Sequence, residues 1–422
     1  MLMIVGLGIW SLHACSADRG LATSVTQDST TQAQRIEAGQ TMATWNAIAL
    51  RTTAAGPFSP PQESRTMAIV SAAVFDAVNS IGGEYQPFVV RIAAGADASV
   101  NAAIAATSRR VLRTLYPNAA TTLDADYDSS VARIPAGASK SAGIAVGEAV
   151  AAAVLAWRAS DRAADRTIYT PQNVVGMWSP TPPAFAPALE AGWGHVQPFV
   201  LDSGSQFRPA PPPALTSAAY VRDLQEIIDI GGASSQTRTA AQTETARFWI
   251  ATAAQLWNQV VRQLTVSGKY EPAAVARVYL LMNVAGADAV IAAWDAKFAF
   301  QQWRPVTAIR RGASAGTPID TTWTPLITTP PFPDYPAGHT SFGGAAEVVL
   351  ETLLGEKPGE FGITSPTAAG ATHRYQSVRD VAEEVVNARV WGGVHWRTSS
   401  IVGREIGRSV AAVALRRAMP VR

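Results

Sequence analysis

Apolar residues recur three and four positions apart along most of the first part of the chain. This spacing places them on one face of an α-helix. The pattern is clearest in RIEAGQTMATWNAIALRTTA, ESRTMAIVSAAVFDAVNSI and SVNAAIAATSRRVLRTLY. SAGIAVGEAVAAAVLAWRAS has the same period and is rich in alanine, which favours a closely packed helix. The sequence therefore predicts a helical half over residues 34–165.

A second helical half is predicted over residues 217–418. AYVRDLQEIIDIGG ends in two glycines, as helices commonly do. Further segments with helical spacing are TAAQTETARFWIATAAQLWNQVVRQL, EPAAVARVYLLMNVAGADAVIAAWDAKFAFQQW, SVRDVAEEVVNARVW and SSIVGREIGRSVAAVALRRA. No segment alternates convincingly as a strand does. We expect an all-α fold of helical bundles, in two four-helix-bundle-like halves.

Residues 166–216 separate the two halves and carry prolines in every stretch. Such punctuation is typical of a loop. A loop of this length in a compact chain usually has a function. We expect a lid or a channel wall here.

The N-terminus is predicted to be an export segment, residues 1–15, followed by a flexible Ser/Thr/Gln-rich tether, residues 16–33. Leu12 to Cys15 resembles a lipoprotein box, in which Cys15 would be lipidated and tether the protein to a membrane. The expected location is periplasmic, extracellular or lipid-anchored to the cell envelope. The alternative is a misassigned start codon. Cys15 is the single cysteine, which excludes an intrachain disulfide and a cysteine-based metal site.

Composition indicates a globular protein, because 48% of residues are hydrophobic and 16% are charged. The formal net charge is +2. We find no lysine or arginine run of the kind that a nucleic-acid groove needs. Any cationic chemistry is therefore expected to be local.

The first candidate for chemistry is WDAKFAFQQWRP, residues 294–305. On a continuous helix, Trp294, Lys297, Gln301 and Arg304 would form one stripe. Two long cations on an apolar flank need an anion, because unpaired buried charge is costly. The alternative is that both tips reach solvent or pair with carboxylates such as Asp295.

The second candidate is PFPDYPAGHTSFGG, residues 331–344. Three prolines stiffen the approach to a predicted helix, and Gly338 and His339 stand at its start. The free N–H groups of a helix start can bind an anion, and histidine transfers protons near neutral pH. The alternative is a rigid loop that ends in an ordinary helix-start histidine.

The third candidate is ARVWGGVHWRTSS, residues 388–400. Arg389 offers a planar fork that suits tetrahedral oxyanions. Gly392 and Gly393 would let the helix bend, so that Arg389 and His395 point the same way. The alternative is a core histidine between two tryptophans.

Two other histidines lie outside these segments. We interpret His195 as a loop residue and His373 as a structural or exposed residue.

The order of these pieces resembles a three-part signature shared by vanadium-dependent haloperoxidases and the type 2 phosphatidic acid phosphatase superfamily. PPFPDYPAGHTSFGGA, WDAKFAFQQWRPVTAIR and GVHWR are similar to the haloperoxidase branch, as are the earlier WNAIALRTTA and QTETARFW. Trp294 and Phe332 stand where that branch keeps aromatic residues beside the oxyanion. The resemblance implies the helical-bundle fold of these enzymes.

The resemblance also implies roles for single residues. Vanadate would be surrounded by Lys297, Arg304, Arg389 and the N–H of Gly338. His395 would be the axial ligand of vanadium, and His339 the acid–base group for hydrogen peroxide. The implied activity oxidises halide with hydrogen peroxide to a hypohalous-acid equivalent, with a small organic acceptor possible.

Two positions depart from the family pattern. Ala337 replaces the usual serine and removes one hydroxyl donor. Ser399 replaces an aspartate that, in phosphatases, orients the second histidine. Without that aspartate efficient phosphate-ester hydrolysis is disfavoured, so both departures favour a peroxidase. An acid phosphatase working through a phosphohistidine at His395 is the second hypothesis. A non-catalytic oxyanion-binding lipoprotein is the third.

Overall fold

A computed structural model describes residues 31–56, 59–312 and 319–421. The predicted export segment, with Cys15, lies outside these residues, as does most of the predicted tether. Gln32 and Ala33, which we had placed in the tether, belong to the first helix.

The described residues form thirteen α-helices, two 3-10 turns and one β-hairpin. The first six helices are α1 (Gln32–Ala55), α2 (Pro60–Gly82), α3 (Val100–Leu115), α4 (Ala120–Ala132), α5 (Ala138–Arg158) and α6 (Ala218–Gly231). The other seven are α7 (Ala240–Phe248), α8 (Ala253–Thr265), α9 (Pro272–Phe300), α10 (Pro305–Arg311), α11 (Gly338–Leu354), α12 (Val378–Trp391) and α13 (Arg397–Ala414). The 3-10 turns are Pro117–Ala119 and Trp193–His195.

Side-chain caps explain where many of these helices begin. A serine or threonine side chain accepts a hydrogen bond from a backbone N–H of the first turn, which otherwise lacks a partner. These capping residues are Thr31, Ser59, Ser99, Ser217, Thr239, Thr252 and Ser377.

Helix α9 is the centre of the molecule. It packs against α2 from the first half and against α11 and α13 from the second. Its apolar composition would suit a membrane span, but the whole of its most apolar window is buried in the protein. The two predicted halves therefore share one hydrophobic core instead of forming separate cores.

Two buried aspartates attach similar segments to α2 and α9. Asp76 on α2 accepts hydrogen bonds from the backbone N–H groups of residues 88–90. Asp288 on α9 does the same for residues 199–201. The attached segments begin with the similar sequences QPFVV and QPFVL. The second aspartate fixes the proline-rich region to the helix that leads into the candidate site.

The proline-rich region runs beside that site. Among residues 159–217, all of which the structure describes, the only helical turn is Trp193–His195. The Leu189 N–H donates to the carbonyl of Pro331 at 2.8 Å, and the Trp178 N–H donates to that of Gln301. The region thus contacts the loop before α11 and the end of α9.

The expectation that the chain has no strands was wrong over residues 361–375. There β1 (Phe361–Ser365) pairs antiparallel with β2 (Ala368–Tyr375). The first strand alternates in burial over only five residues, and the second is mostly small or polar. Neither strand carries enough alternating large apolar residues to be recognised from the pattern.

Candidate oxyanion site

The three predicted segments meet at a cavity of about 300 Å³. Its wall includes Trp294, Phe332, Gly338, His339, Arg389 and His395, and most of the remaining lining is apolar. Ile250 lies at the exposed rim. Lys297 and Arg304 are fully buried behind the aromatic wall.

Lys297 lies near the end of α9 and faces the loop that precedes α11. Its Nζ donates to the carbonyls of Pro333 and Asp334 at 2.8 and 2.7 Å. It also lies 5.0 Å from the ring centroid of Phe332. Burial, and after it the charge of Arg304, holds the pKa of Lys297 well below its ordinary value.

The predicted single stripe through residues 294–304 was wrong. Helix α9 ends at Phe300, and Gln301 adopts a left-handed conformation with φ of 52°. Its side chain accepts a hydrogen bond from the Tyr169 hydroxyl. Arg304 instead precedes the first residue of α10, because the following Pro305 disfavours helical geometry at the residue before it. The turn, not one helix face, brings Lys297 and Arg304 together.

Arg304 is held from two sides and keeps one nitrogen unused. Its Nε donates to the Phe332 carbonyl at 2.8 Å, and its Nη1 donates to that of Val394 at 2.6 Å. Its buried Nη2 has no hydrogen-bond partner among the residues that the structure describes. Burial lowers the pKa of Arg304 to about 10, so the side chain stays charged at neutral pH.

Arg389 projects from the last turn of α12 and repeats this arrangement. Its Nη1 donates to the Trp249 carbonyl at 2.7 Å. Its buried Nε finds no partner within the described part of the chain. Burial, with a contribution from Arg304, lowers the pKa of Arg389 to about 9. The site thus contains two buried guanidinium groups that each have a donor to spare.

Gly392 and Gly393 end the helix instead of bending it, contrary to our prediction. Helix α12 stops at Trp391, and Gly393 has φ of 75°. A Cβ atom at Gly393 would lie 2.2 Å from the carbonyl oxygen of Gly231, so only glycine fits. The resulting turn delivers His395 to the cavity from the connection between α12 and α13.

His395 is buried against charged groups. Its Nδ1 lies 3.0 Å from a carboxylate oxygen of Asp334, and its Nε2 lies 3.2 Å from Nη1 of Arg304. Burial, and after it the charges of Arg304 and Lys297, holds the pKa of His395 well below its ordinary value. The ring is therefore neutral at neutral pH, and one ring nitrogen keeps a lone pair for a ligand.

His339 is the second residue of α11 and lies in the cavity wall. Its Nε2 lies 3.1 Å from the carbonyl oxygen of Ala251. A carbonyl only accepts hydrogen bonds, so Nε2 carries the proton and Nδ1 is left as the basic atom. Burial, and then the charge of Arg389, holds the pKa of His339 well below its ordinary value.

Sequence reasoning missed the connection between α7 and α8. We predicted one continuous helical segment over residues 239–264, but the helix breaks between Phe248 and Ala253. The freed carbonyls of Trp249 and Ala251 are those that contact Arg389 and His339. Thr252, whose side chain accepts from the Gln255 N–H, was the available sign of a new helix start.

Sequence reasoning also missed Asp334, which is fully buried in the site. Its Oδ1 lies 3.7 Å from Nη1 of Arg304. Burial raises the pKa of Asp334 to about 6, although Arg304 and Lys297 oppose the shift. The signal was present, because Asp334 is the one acidic residue in a rigid apolar segment between prolines.

The two departures from the family pattern have clear structural places. Ala337 precedes the first residue of α11, where a serine hydroxyl would cap the helix. Ser399 does not contact the cavity, and its hydroxyl donates to the backbone carbonyl of Asp334 at 3.1 Å. Its own carbonyl accepts the Ala337 N–H, so Ser399 holds the loop before α11 in place.

Two other histidines lie outside the cavity. His195 is exposed and borders a separate cavity with Arg208 and Asp295. His373 lies on β2, stacks on Phe248 with ring centroids 4.0 Å apart, and contacts Glu244 and Glu384. Their positions agree with our reading of a loop residue and a structural residue.

The residues present suit a tetrahedral oxyanion. Three cations surround the site, and Asp334 alone opposes them among the described acidic residues within it. The start of α11 supplies backbone N–H groups without helical partners. A Cβ atom at Gly338 would lie 3.0 Å from the Trp294 ring, so glycine allows this helix start to pack against the aromatic wall. The spare donors of Arg304 and Arg389 complete the set.

Comparisons with known proteins agree with this geometry. The family profile described as the VCPO second helical-bundle domain matches residues 277–422. Vanadium chloroperoxidase of Curvularia inaequalis is 27% identical over 267 residues, 47% of this chain. The match spans 44% of that relative's length, so the chain covers less than half of it.

Solved structures extend the likeness to nearly the whole chain. A structure described as the first bacterial vanadium-dependent iodoperoxidase superposes with a TM-score of 0.80 at 26% identity. The match covers 90% of this chain and 97% of that one. A holo-type bacterial vanadium-dependent chloroperoxidase has the same fold, with a TM-score of 0.67 at 17% identity over 86% of this chain and 94% of that one.

Fold and site together define a mostly helical protein with a buried, cation-lined oxyanion site. The second bundle, which holds the site, carries the family profile, and the whole helical arrangement matches solved members. The chain is thus similar to vanadium-dependent haloperoxidases, over residues 277–422 by the family profile and over most of its length by its fold.

Proposed function

We propose that this protein is a vanadate-dependent haloperoxidase that oxidises halide with hydrogen peroxide to a hypohalous-acid equivalent. One observation carries the proposal: a buried guanidinium and two neutral histidines from distant segments line a single cavity, and two more basic side chains lie buried behind its aromatic wall. These residues are Lys297, Arg304, Arg389, His339 and His395.

The vanadate group would be held by donors that the protein leaves unused. Among the described residues, Nη2 of Arg304 and Nε of Arg389 are buried without partners and would donate to its oxygens. The first N–H groups of α11, beginning at Gly338, would add backbone donors. A ring nitrogen of His395 would bind the metal. When bound, vanadate supplies Lewis-acid activation of hydrogen peroxide.

The protein itself would contribute three things to the reaction: positive charge, a proton acceptor and an apolar cavity wall. The guanidinium groups of Arg304 and Arg389, in a site screened from water, stabilise negative charge on a bound oxyanion far more than they would at the surface. His339, neutral and with Nε2–H held by Ala251, keeps Nδ1 available to take a proton from hydrogen peroxide. The mostly apolar wall excludes water and leaves room for a small organic acceptor.

Phosphate-ester hydrolysis is the second candidate, and one observation favours it. We argued against this activity because Ser399 replaces the family's aspartate. However, Asp334 places a carboxylate oxygen 3.0 Å from Nδ1 of His395, so a carboxylate partner is present after all. Ser399 therefore does not count against a nucleophilic histidine.

Parallel assays of one preparation test the proposal. The purified protein is loaded with vanadate and assayed for halogenation of a dimedone-type probe with chloride, bromide and iodide. The same protein without vanadate is assayed on a phosphate monoester. We expect halogenation that requires both vanadate and hydrogen peroxide and that His395→Ala abolishes. Ester hydrolysis that vanadate inhibits, without halogenation by the loaded protein, would assign the site to a phosphatase instead.

Export to the cell envelope is a further part of our proposal. Its support is the apolar segment Met1–Leu12 followed by small residues before Cys15. Fractionation of expressing cells, with palmitate labelling compared between the wild type and Cys15→Ser, tests both export and lipidation. Unlabelled protein confined to the cytoplasm would contradict both.

A further inference from the structure

Asp334 and His395 form a buried contact that can determine which ring nitrogen of His395 carries the proton. Oδ1 of Asp334 lies 3.0 Å from Nδ1 of His395 and 3.7 Å from Nη1 of Arg304. The Nδ1 contact is at hydrogen-bond distance but is not aligned as a hydrogen bond, and the other donors near the carboxyl are the Ser399 hydroxyl and the Trp396 N–H, which lower its pKa. Buried carboxylate oxygens without donors are costly, so the site favours whichever state of its neighbours supplies a donor.

We propose that Asp334 is a positioning residue that holds His395 in the tautomer with its proton on Nδ1. An ionised carboxylate only accepts hydrogen bonds, so Nδ1–H satisfies it, whereas a bare Nδ1 would repel it. Nε2 is then left without a proton and can bind a metal centre. The step to metal binding rests on the proposed function, but the tautomer itself is a property of the protein without vanadate.

The backbone of Asp334 is fixed well enough to hold a partner in place. Its N–H donates to the carbonyl of Gln302 at 2.9 Å. Its carbonyl accepts from Nζ of Lys297 at 2.7 Å and from the Ser399 hydroxyl at 3.1 Å. Because residues 297 and 302 of one segment and Ser399 of another hold this one residue, its carboxylate has little freedom to leave His395.

Ser399 cannot supply a carboxylate to His395, so the carboxylate that contacts this histidine comes from another part of the chain. It stands four residues after His395, where the family often has the aspartate that orients this histidine. Here Ser399 stabilises the loop that carries Asp334. In this chain, therefore, the orienting carboxylate is supplied from the loop before α11 rather than from α13.

Nitrogen-15 spectroscopy of the histidine rings tests the tautomer without vanadate, peroxide or halide. The sequence contains five histidines, and the His395 signals are assigned by their loss in His395→Gln. We expect the wild type to show a protonated Nδ1 and a bare Nε2. We expect Asp334→Ala to shift His395 toward the other tautomer. Asp334→Leu, which has nearly the same shape and no hydrogen-bond acceptor, replaces it if the alanine variant does not fold. A wild-type signal with the proton on Nε2, or unchanged signals in the folded variant, would overturn the inference.

Calorimetry with vanadate adds a second readout. Residues that hydrogen-bond to a metal ligand are typically worth about 10- to 100-fold in metal affinity, and we expect a loss of that size in Asp334→Asn. Asp288→Asn is the matched control, because Asp288 is an equally buried aspartate on α9 that serves residues 199–201. It should leave both the His395 tautomer and the vanadate affinity unchanged. Equal affinity losses in the two variants would reduce Asp334 to a merely structural role.

The two readouts separate this inference from the proposed function. If the wild type shows no halogenation but His395 has the expected tautomer, which Asp334→Ala disturbs, the positioning role stands and the haloperoxidase assignment fails. If halogenation is observed but the tautomer is the opposite one, the enzyme assignment stands and the role of Asp334 falls.

Discussion

The Nε2 atom of His339 lies 3.1 Å from the carbonyl oxygen of Ala251, a residue 88 positions earlier in the chain. This contact ties the start of α11 to the break between α7 and α8. It also decides which ring nitrogen carries the proton, because the carbonyl can only accept. The Ala251 carbonyl therefore fixes the proton on Nε2 and leaves Nδ1 as the basic atom of His339.

Replacing His339 with alanine should remove proton transfer while leaving the cations in place. General acid–base catalysis contributes about 10²- to 10⁴-fold to rates, so we expect kcat to fall by that amount. Vanadate affinity should fall much less, because the guanidinium donors remain. Steady-state halogenation kinetics and calorimetry measure the two effects. His195→Ala is the matched control, since His195 is exposed and outside the cavity. An unchanged kcat in His339→Ala would remove this residue from the mechanism.

Ala337→Ser should strengthen both the helix and the site. Ala337 precedes the first residue of α11, and a serine hydroxyl there would accept an N–H of the first turn. Such caps are worth about 0.5–2 kcal/mol, so we expect that increase in the free energy of unfolding by urea titration. A gain of about 1 kcal/mol in oxyanion binding would tighten vanadate affinity about fivefold. Ala337 is fully buried, so a destabilised variant would indicate that the site has no room for the hydroxyl.

Glu63 should make the protein less stable as the pH rises. It is buried between Thr53 and Thr252, and burial raises its pKa from 4.5 to about 7. The folded state therefore holds the proton more tightly than the unfolded state. The resulting stabilisation is present below about pH 4.5 and is lost as the pH rises through about 7.

The matching variant is Glu63→Gln, which cannot ionise. We expect its stability relative to the wild type to improve by up to about 3 kcal/mol between about pH 5 and pH 8. Urea titrations of both proteins at the two pH values measure this difference. A difference that does not change with pH would show that Glu63 does not titrate in this range.

Most of the helices could be predicted because each has an apolar stripe that faces the core. Helix α9 is the extreme case, apolar on all sides and buried on all sides. The residues that line the site were also accessible to sequence reasoning, since cations and histidines beside glycine and proline are unusual in apolar segments. Their convergence in one cavity is a property of the fold, which the motif order anticipated.

What could not be predicted depends on contacts between distant segments. The break between Phe248 and Ala253 lies within a sequence that has helical spacing throughout. The freed carbonyls accept hydrogen bonds from distant residues such as Arg389, which the local sequence does not reveal. Asp334 is an unusual acidic residue in an apolar segment, but nothing local indicates that its carboxylate faces a histidine 61 residues later. The arrangement of Lys297 and Arg304 was predicted from the wrong geometry, since a turn separates them.

The contribution of His373 to folding stability should depend on pH, because its ring contacts two carboxylates. Its Nδ1 lies 2.7 Å from Glu384 and its Nε2 lies 3.0 Å from Glu244, while Glu384 also accepts from the Trp249 indole. Burial by itself would lower the pKa of His373, but the two carboxylates outweigh it and raise the pKa above its ordinary value. The stabilisation is therefore fully present below pH 6.5 and is lost as the pH rises through the raised pKa.

We therefore expect His373→Gln to be more destabilising at about pH 6 than at about pH 9. Urea titrations at the two pH values, compared with the wild type, give the difference directly. Partly exposed pairs are screened by solvent, so we expect the change to be about 1 kcal/mol. A destabilisation of the same size at both pH values would mean that His373 acts only through packing against Phe248.

Arg389→Lys separates the charge of this side chain from its shape. The guanidinium donates from Nη1 to the Trp249 carbonyl and leaves a buried Nε–H to donate to a bound oxyanion. The ammonium group of lysine lacks this planar set of donors and cannot make both contacts in the same geometry. We expect vanadate affinity to fall about 10- to 100-fold, the cost of about one to two charge-assisted hydrogen bonds. The urea midpoint should change little, because the charge and the carbonyl contact can remain. Arg208→Lys is the matched control, since Arg208 pairs with Asp295 outside the cavity. Calorimetry gives the affinities, and equal values for Arg389→Lys and the wild type would show that the fork of Arg389 does not bind the guest.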